Sequence, residues 1–492
     1  MKPVFAATLL GSAMAMSSAM AQESRPTATD LIAEIEGGGR TAVSAMEDTI
    51  AAIEARPELN AIAHMNAEAA LAAAGAVDDG EVTGPLAGLP IVVKDNIQVE
   101  GLPTGAGTPA LQASVPAQNA PVVQKLVEAG AIVVATTNMH ELAFGISGYN
   151  PTYQTGPEPG VRNPYDTTRF AGGSSSGTGA IIGAGAVRAG FGTDTGGSVR
   201  VPAAINGISG LRPTMGRYSA EAIVPISHTR DTPGIIAASV SDIELLDRII
   251  AGGEPVEPAD LGNIRLGVGT ASVSGLDADV KATWDDVVAK LEGAGVTLVE
   301  VDDSAIFEGS GMISFPIALS EARPDLEKYL ATYAPDVTID ALVAEISSPD
   351  VKGTYEMMVL PGQLPSPDGM VEGAPIYDSA MAEGRPALIS AYNTLFDESD
   401  IDALIFPTVP QVAAEASAAS SSPEMFGAFI RNTDPGSNAG LPGLSIAAGL
   451  GASSGLPVGI ELDGPAGSDR DLIAIGLAVE TLLGRTPPPT AD

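Results

Sequence analysis

The most informative part of the chain runs from Gly172 to Arg200 and reads GGSSSGTGAIIGAGAVRAGFGTDTGGSVR. It contains two glycine loops that each end in a serine, and the two serines, Ser174 and Ser198, are 24 residues apart. A glycine beside a hydroxyl lets a substrate or a second backbone approach closely, because no β-carbon is in the way. A lysine, Lys94, lies upstream in the apolar segment IVVKDNI. Two such hydroxyls and a buried amine could form a hydrolase that needs no histidine.

On both sides of this stretch, predicted strands alternate with predicted helices. A capping box at Thr27–Asp30 and apolar residues at helical spacing predict helices over 27–80. The further predicted helices cover 121–129, 177–189, a short segment from Ser198, 240–251, 276–294 and 469–484. The predicted strands cover 90–97, 131–136, 190–195, 264–268, 297–302, 401–407, 442–449 and 455–464. Residues 303–400 are expected to be less regular. The alternation predicts an α/β fold in which helices cover both faces of a sheet.

The composition excludes several classes of partner and site. The 492 residues include 61 Asp plus Glu against 24 Lys plus Arg, a formal charge of −37, so nucleic acids and anionic membranes are poor partners. This acidity fits either a salt-adapted surface or an ordinary acidic protein. There is no cysteine, and His64, His140 and His228 lack ligand spacing, so we predict no metal and no cofactor.

The N-terminus is typical of an exported protein. Residues 1–21 combine Lys2, an apolar segment too short for a permanent membrane anchor, and Ala19-Met20-Ala21, which fits a cleavage site. This predicts a secretory signal, a mature chain from Gln22, and a periplasmic or secreted protein without membrane attachment after cleavage. The alternative is an ordinary apolar helix.

The residue types suggest chemistry for amide hydrolysis, which requires a nucleophile, a proton shuttle and donors for the oxyanion. Ser198 is the candidate nucleophile, and the backbone N–H groups of Thr195, Gly196, Gly197 and Ser198 could converge on one oxygen. Lys94 can act as a base only when neutral, and burial favours that form. Ser174 could relay the proton between them.

Other interpretations of the glycine-rich stretch fit less well. It lacks the GxxxxGK[ST] lysine of a phosphate loop and does not match the dinucleotide fingerprint. A flexible linker is inconsistent with its apolar, helix-forming surroundings. No GxSxG elbow for a Ser-His-Asp triad is present.

Taken together, six segments resemble the amidase signature family over roughly residues 30–485. They are VVKDNI at 92–97, GLPTGAGT at 101–108, TTNMHELAFG at 136–145, RNPYDTTRFAGGSSSG at 162–177, GTDTGGSVRVPAAINGISGLRPT at 192–214 and DTPGIIAASVSD at 231–242. The resemblance implies one large domain over 22–492 with a mixed central sheet. Within it we expect a helical N-terminal part (27–80), a catalytic core (85–300 and 400–485) and a variable substrate-pocket region (303–400).

The resemblance also implies a Ser-cisSer-Lys triad. It assigns Ser198 as nucleophile, Ser174 as the bridging serine after a cis peptide bond, and Lys94 as base. It places the oxyanion hole at Thr195–Ser198, with supporting roles for Ser175, Asp194 and Arg200. Two departures are visible: Ser176 replaces a glycine of the usual GGSSGG, and the connection before Arg162 is longer than the common form.

The segment 216–234 resembles amidases that act on aryl-acetamides, such as the indoleacetamide and mandelamide hydrolases. We therefore expect a small-molecule carboxamide to be cleaved to a carboxylate and ammonia or an amine. Loop 145–161 and region 303–400 should line the acyl pocket, where Met312, Met357, Met358 and Met370 could provide apolar lining, and His228 should be structural or at the pocket edge. Alternatives are an acylamidase or an ester or carbamate hydrolase with the same triad, a tRNA amidotransferase subunit, and a non-catalytic periplasmic binding protein. The chain could also form a homodimer.

Overall fold

The computed structural model describes residues 25–153 and 159–489, so the predicted signal at 1–21 lies outside the described residues. Within these ranges the strands are β1 (Ile62–Met65), β2 (Pro90–Lys94), β3 (Ile132–Thr137), β4 (Ala189–Asp194), β5 (Ser209–Arg212), β6 (Thr232–Ala237), β7 (Arg265–Gly269), β8 (Thr297–Val301), β9 (Gln363–Ser366), β10 (Gly369–Glu372), β11 (Ala403–Pro407), β12 (Gly443–Leu450) and β13 (Pro457–Asp463). The α-helices are α1 (Ala28–Glu36), α2 (Ala42–Glu54), α3 (Ala67–Asp78), α4 (Pro121–Glu128), α5 (Ser176–Gly183), α6 (Arg200–Ile205), α7 (Val240–Ala251), α8 (Ala278–Gly293), α9 (Ser304–Tyr333), α10 (Ile339–Glu345), α11 (Pro349–Thr354), α12 (Ala374–Ser379), α13 (Arg385–Ser399), α14 (Pro423–Ile430), α15 (Asp434–Ala439) and α16 (Asp469–Leu483). None of the helices in these ranges combines the length and apolar character needed to cross a lipid bilayer.

Eleven strands form one mixed sheet in the order β1-β3-β2-β4-β6-β5-β12-β13-β11-β7-β8, and β9 and β10 form a separate hairpin. The predicted α/β fold with a mixed sheet between helices is confirmed. The two sheet faces are covered by different helices because successive side chains of a strand point to opposite sides. In β2, Ile91 and Val93 belong to the apolar layer under α1, α4, α7, α8 and α16. Val92 belongs to the layer under α2, α3, α5 and α6.

The order of strands at the centre of the sheet positions the candidate site. Strand β2 pairs in parallel with β4, with Val93 opposite Phe191, so the carboxyl ends of both strands reach the same edge of the sheet. Lys94 ends β2, and Thr193 and Asp194 end β4. Residues separated by a hundred positions in the chain are therefore brought together by strand pairing.

Three sequence expectations about secondary structure were wrong. The helical segment 27–80 contains β1, a four-residue strand that pairs antiparallel with β3 and is too short to show a clear alternation. Helix α5 ends at Gly183 instead of 189, and Gly185 follows in the left-handed region at φ 79°. Region 303–400 is largely helical: α9 alone spans 30 residues, and its internal Pro316 and Pro324 hid it from sequence reasoning.

Candidate active site

Lys94 is fully buried at the carboxyl end of β2. Val92, two residues earlier, faces the layer that contains α5, so the Lys94 side chain extends in the same direction, toward the loop before α5. Its Nζ donates to Ser174 Oγ at 2.7 Å and to Thr193 Oγ1 at 2.7 Å. The amine is therefore held between two hydroxyl groups, that of Ser174 in the loop before α5 and that of Thr193 on β4.

Burial changes the acidity of this amine. Loss of hydration lowers the pKa of Lys94 from 10.5 to about 7, although the nearby carboxylates of Asp194 and Asp231 act in the opposite direction. A large share of the molecules therefore carries a neutral Lys94 near neutral pH. A neutral amine has a lone pair and can accept a proton from Ser174.

The loop before α5 brings Ser174 to Lys94. The peptide bond between Gly173 and Ser174 is cis, as the family resemblance implied. The adjacent Ser175 connects the two serine loops, because its N–H donates to the Ser198 carbonyl at 3.3 Å and its Oγ donates to the Thr193 carbonyl at 3.3 Å. A β-carbon at Gly192 would lie 2.5 Å from Ser175 Oγ, so glycine on β4 permits this close approach.

Ser198 lies in the tight turn between β4 and α6. It is 9% exposed, whereas Lys94 and Ser174 are fully buried, so of the three predicted residues it is the one that a solute can reach. Gly197 has a φ of 136°, which L side chains rarely adopt. On the far side of the turn, Thr433 Oγ1 donates to the Gly196 carbonyl at 2.6 Å. The turn is thus held by the C-terminal part of the chain.

The proton path predicted from the sequence is present in part. Lys94 and Ser174 are hydrogen-bonded, and the backbone of Ser198 is bound to Ser175. In the described part of the chain, however, the Ser198 Oγ has no hydrogen-bond partner, so the link from Ser174 to Ser198 remains a prediction.

Asp194 organises the turn that contains Ser198. Its carboxylate accepts the backbone N–H of Gly197 at 2.8 Å and that of Val199 at 3.0 Å. Burial alone would raise the pKa of Asp194, but the guanidinium groups of Arg200 and Arg212 outweigh burial and hold it well below its usual range. This buried carboxylate therefore stays charged and fixes the turn.

The same contact changes the predicted oxyanion hole. The N–H of Gly197 already donates to Asp194 Oδ1, which differs from the sequence expectation that all four groups converge on one substrate oxygen. The sequence could not show this, because only the folded turn directs the Gly197 N–H toward the Asp194 carboxylate. The N–H groups of Thr195, Gly196 and Ser198 remain the candidate donors.

The chain is similar to known proteins in sequence and in fold. The sequence model of the Amidase family matches residues 44–473. The chain belongs to the amidase family. It is 50% identical over 438 residues to the mandelamide hydrolase of Pseudomonas putida, covering 88% of this chain and 86% of that protein. It is 40% identical over 448 residues to the indoleacetamide hydrolase of Rhizobium radiobacter, covering 89% and 93%. The structure of the peptide amidase of Stenotrophomonas maltophilia superposes with a TM-score of 0.80 at 27% identity, covering 95% of this chain and 99% of that one. The predicted hydrolysis of amides is therefore confirmed.

Two residues next to Lys94 were missed in the sequence. Thr193 Oγ1 accepts from both Lys94 Nζ and Asn96 Nδ2, the latter at 3.1 Å. Asn96 Nδ2 also donates to the Val224 carbonyl at 3.3 Å. The available signal was the position of both polar residues at the ends of apolar strands that pair in parallel.

A cavity adjoins Thr193, and the residues that line it differ from those predicted to line the acyl pocket. Its apolar wall comes mainly from segment 216–234, whereas loop 145–161 and region 303–400 were expected to line the acyl pocket. Ala143, Ala220, Ile223, Val224, Ile226 and Pro233 form this wall. Met312, Met357 and Met370 are exposed on the outer helices and hairpin, and Met358 packs in a separate apolar cluster, so none of the four lines this cavity.

His228 is placed at the surface, 62% exposed, where its Nδ1 lies 3.0 Å from Asp325. Within the described ranges, one cluster of potential metal ligands is found, and it consists of His228, Glu321 and Asp325. Glu321 Oε2 already accepts hydrogen bonds from Ser227 and Thr229. The cluster therefore serves as a contact between the segment before β6 and helix α9, in keeping with the predicted structural role of His228.

Proposed function

We propose that this amidase works through a Ser198–Ser174–Lys94 triad. The observation that supports it most directly is the fully buried Lys94 amine, 2.7 Å from Ser174 Oγ and with a pKa near neutrality. Neutral Lys94 takes the proton of Ser174 while Ser174 takes that of Ser198. Ser198 Oγ then attacks the carbonyl carbon, and the carbonyl oxygen becomes an oxyanion held by the N–H groups of the turn.

Collapse of this intermediate breaks the C–N bond. The proton on Lys94 returns through Ser174 to the leaving nitrogen, which departs as ammonia or an amine, and an acyl ester remains on Ser198. Water repeats the sequence in the second half: it loses a proton along the same path, attacks the ester, and Ser198 leaves with a proton. The products are the carboxylate and a free enzyme.

Ser198→Ala should abolish turnover because no other group replaces the nucleophile. The variant should keep the melting temperature of the wild type, and an ester-forming inhibitor should label only the wild-type protein. Near-normal ammonia release by the folded variant would refute the assignment.

We further propose that the substrates are aryl-acetamides. The mandelamide and indoleacetamide hydrolases among the relatives support this class. An aromatic pair also supports it: Phe315 and Phe426 have ring centroids 5.9 Å apart, and Phe315 is half exposed. The helix that carries Phe315 lies near the turn that contains Ser198, since Ser314 accepts from Arg230 and Arg230 pairs with Asp434, which lies beside Gly196.

A substrate panel tests this class. Ammonia release from phenylacetamide should exceed that from benzamide and from an aliphatic amide of similar length, and acetanilide should be cleaved only if a larger amine can leave. Preference for acetanilide, or for the corresponding esters, would favour the alternative acylamidase or ester hydrolase. Running the panel at low and at molar salt also tests whether the acidic surface reflects salt adaptation, in which case activity rises with salt.

Export is proposed on the N-terminal sequence alone. The mature protein should begin near Gln22 in the periplasm or medium, which mass spectrometry of the natively expressed protein measures. An intact Met1 on the active protein would refute it. Sedimentation of the purified enzyme distinguishes a monomer from a homodimer.

A further inference from the structure

Two carboxyl groups lie side by side on β13, and the proposed triad uses neither of them. Glu461 and Asp463 are two positions apart on this strand, so their side chains leave the same face of the sheet. Glu461 is fully buried and Asp463 is 1% exposed. Both approach the guanidinium group of Arg200: Glu461 Oε1 accepts a hydrogen bond from its Nη1, and Asp463 Oδ1 lies 4.0 Å from the same nitrogen.

Three of the four oxygens of this pair lack a donor. Within the described residues, Glu461 Oε2 and both carboxyl oxygens of Asp463 have no hydrogen-bond partner. The backbone closes tightly around Asp463, since a β-carbon at Gly436 would lie 2.4 Å from Oδ2 and one at Gly443 would lie 2.7 Å from Oδ1. Buried carboxylate oxygens without donors cost free energy. A proton on one of the two carboxyls would give the pair a donor of its own.

The surroundings of the pair contain few charges. The charged and titratable groups that face it are Arg200 from α6, Arg212 from β5, Asp194 from β4 and Tyr392 from α13. Tyr392 is neutral, because burial raises the pKa of its phenol well above its usual range. The residues opposite the pair on the neighbouring strands β11 and β12 carry no charge: Leu404, Phe406, Gly443 and Ser445.

The balance of these charges favours one extra proton. If Glu461 and Asp463 were both ionised, they and Asp194 would supply three negative charges against the two positive charges of Arg200 and Arg212, a net charge of −1. One added proton makes the buried cluster neutral. An uncompensated charge is expensive to bury, so the neutral cluster is favoured.

We propose that this pair is a buried proton site: Glu461 carries one proton at neutral pH and donates it to the Asp463 carboxylate, which stays charged. Burial raises the pKa of Glu461 well above its usual range despite the Arg200 guanidinium, and Asp463 adds to the shift. Burial also raises the pKa of Asp463, to about 6. Arg200 in turn donates to both oxygens of Asp194, the carboxylate that holds the turn containing Ser198. The proton therefore belongs to the charge balance behind this turn.

The unfolding equilibrium measures this proton. In the unfolded chain both carboxyls have ordinary pKa values of about 4 and are ionised at neutral pH, so unfolding releases the proton. A carboxyl whose pKa is raised by folding destabilises the folded state progressively as the pH rises toward that raised pKa. Relative to a variant that lacks the proton, the wild-type unfolding constant in urea should therefore increase about tenfold per pH unit between about pH 6.5 and 8.

Two variants locate the proton. Glu461→Gln keeps a donor for Asp463 that does not titrate, and it leaves the cluster neutral. Asp463→Asn removes the same proton, because Glu461 is then the only carboxylate of the pair and the cluster is again neutral. For both, the ratio of wild-type to variant unfolding constants should increase with pH as described. Glu300→Gln is the matched control at an exposed residue of β8, and its ratio should not change with pH.

Infrared spectroscopy observes the proton in the folded protein. At about pH 7.5, the difference spectrum between the wild type and Glu461→Gln should contain one C=O band of a protonated carboxyl group that shifts in D2O. The difference between the wild type and Asp463→Asn should contain the same band. The other buried carboxyls cancel in both differences. This measurement needs no unfolding, so it decides the question even if unfolding in urea is irreversible.

Three outcomes would refute the proposal. A ratio that is independent of pH, together with no infrared band, would show that both carboxyls are ionised. A ratio independent of pH and a wild-type stability that changes when sodium is exchanged for choline at constant ionic strength would show that a metal cation occupies the site. Failure of both Glu461→Gln and Asp463→Asn to fold would contradict the charge balance, because each variant leaves the cluster neutral. The proposed triad is tested separately, by Ser198→Ala.

Discussion

The acidity of Lys94 predicts how the rate depends on pH. An ordinary lysine with a pKa of 10.5 is neutral in about 0.03% of molecules at pH 7, whereas a pKa of about 7 makes about half of them neutral. Burial therefore increases the reactive form about a thousandfold at neutral pH. Because an amide substrate does not titrate in this range, kcat/KM should follow the neutral fraction of Lys94 in the free enzyme.

We expect kcat/KM to rise with pH through a single midpoint near pH 7 and to level off above about pH 8.5. Below the midpoint it should fall about tenfold per pH unit, to about 1% of the plateau at pH 5. The assay is ammonia release at substrate concentrations well below KM between pH 5 and 9.5, with circular dichroism at each pH to show that the enzyme stays folded.

A second buried group titrates in the same range and must be distinguished. Burial raises the pKa of Asp95 to about 7, although hydrogen bonds from Tyr153, Gly107 and Gly105 oppose it. Deprotonation of an ammonium is strongly endothermic and that of a carboxyl is not, so the midpoint should fall on warming if Lys94 controls it. Lys94→Ala should lose at least about a thousandfold in kcat/KM. Lys281→Ala, at an exposed lysine paired with Asp285, should keep the whole profile. A flat profile between pH 5 and 9, or a midpoint above pH 9, would refute the role of a neutral Lys94.

Three further substitutions test the framework of the site. Gly197→Ala should lose most activity and lower the melting temperature, because the new β-carbon would lie 2.2 Å from Thr433 Oγ1. The φ of 136° at this position adds a strain on the order of 1–3 kcal/mol for a residue with a side chain. The control Gly293→Ala, which has open space at the end of α8, should change neither activity nor melting temperature. Asp194→Asn should reduce the free energy of unfolding in urea by about 3–5 kcal/mol, because Arg200 and Arg212 then remain buried with less compensating charge, and a loss below about 1 kcal/mol would contradict this account. Arg25→Ala should lower the unfolding midpoint far more than Arg56→Ala, which removes only an exposed pair with Glu58. The buried Arg25 guanidinium donates to the carbonyls of Thr486, Ile182 and Gly183 and to the Tyr165 hydroxyl. Equal effects of the two substitutions would show that these buried hydrogen bonds of Arg25 do not stabilise the fold.

Local sequence was sufficient to predict much of the fold. Helix α7 was predicted with its observed bounds of Val240–Ala251, and α8 and α16 within two residues, because their caps and apolar spacing are encoded locally. Helix α9 was missed because the information that keeps Pro316 and Pro324 in one helix lies in its packing against α13 and α15, outside its own sequence.

The candidate site was predicted in its residue types but not in its contacts. The glycine loops and the isolated lysine identified Lys94, Ser174 and Ser198, and the structure brings the first two into contact. The contact of Thr433 with Gly196 spans 237 positions, and no local pattern predicts it. The approach of Glu461 and Asp463 to Arg200 joins segments far apart in the chain, and only the folded chain brings these charges together.

The bond from Thr433 to the turn that contains Ser198 has a consequence for biosynthesis. During translation, Lys94 and both serines leave the ribosome long before the segment that braces the turn has been made. A growing chain that ends before residue 433 lacks this brace, and it also lacks β12 and β13 at the middle of the sheet. The contacts that hold this turn and the middle of the sheet therefore form only when nearly the entire polypeptide has been synthesised.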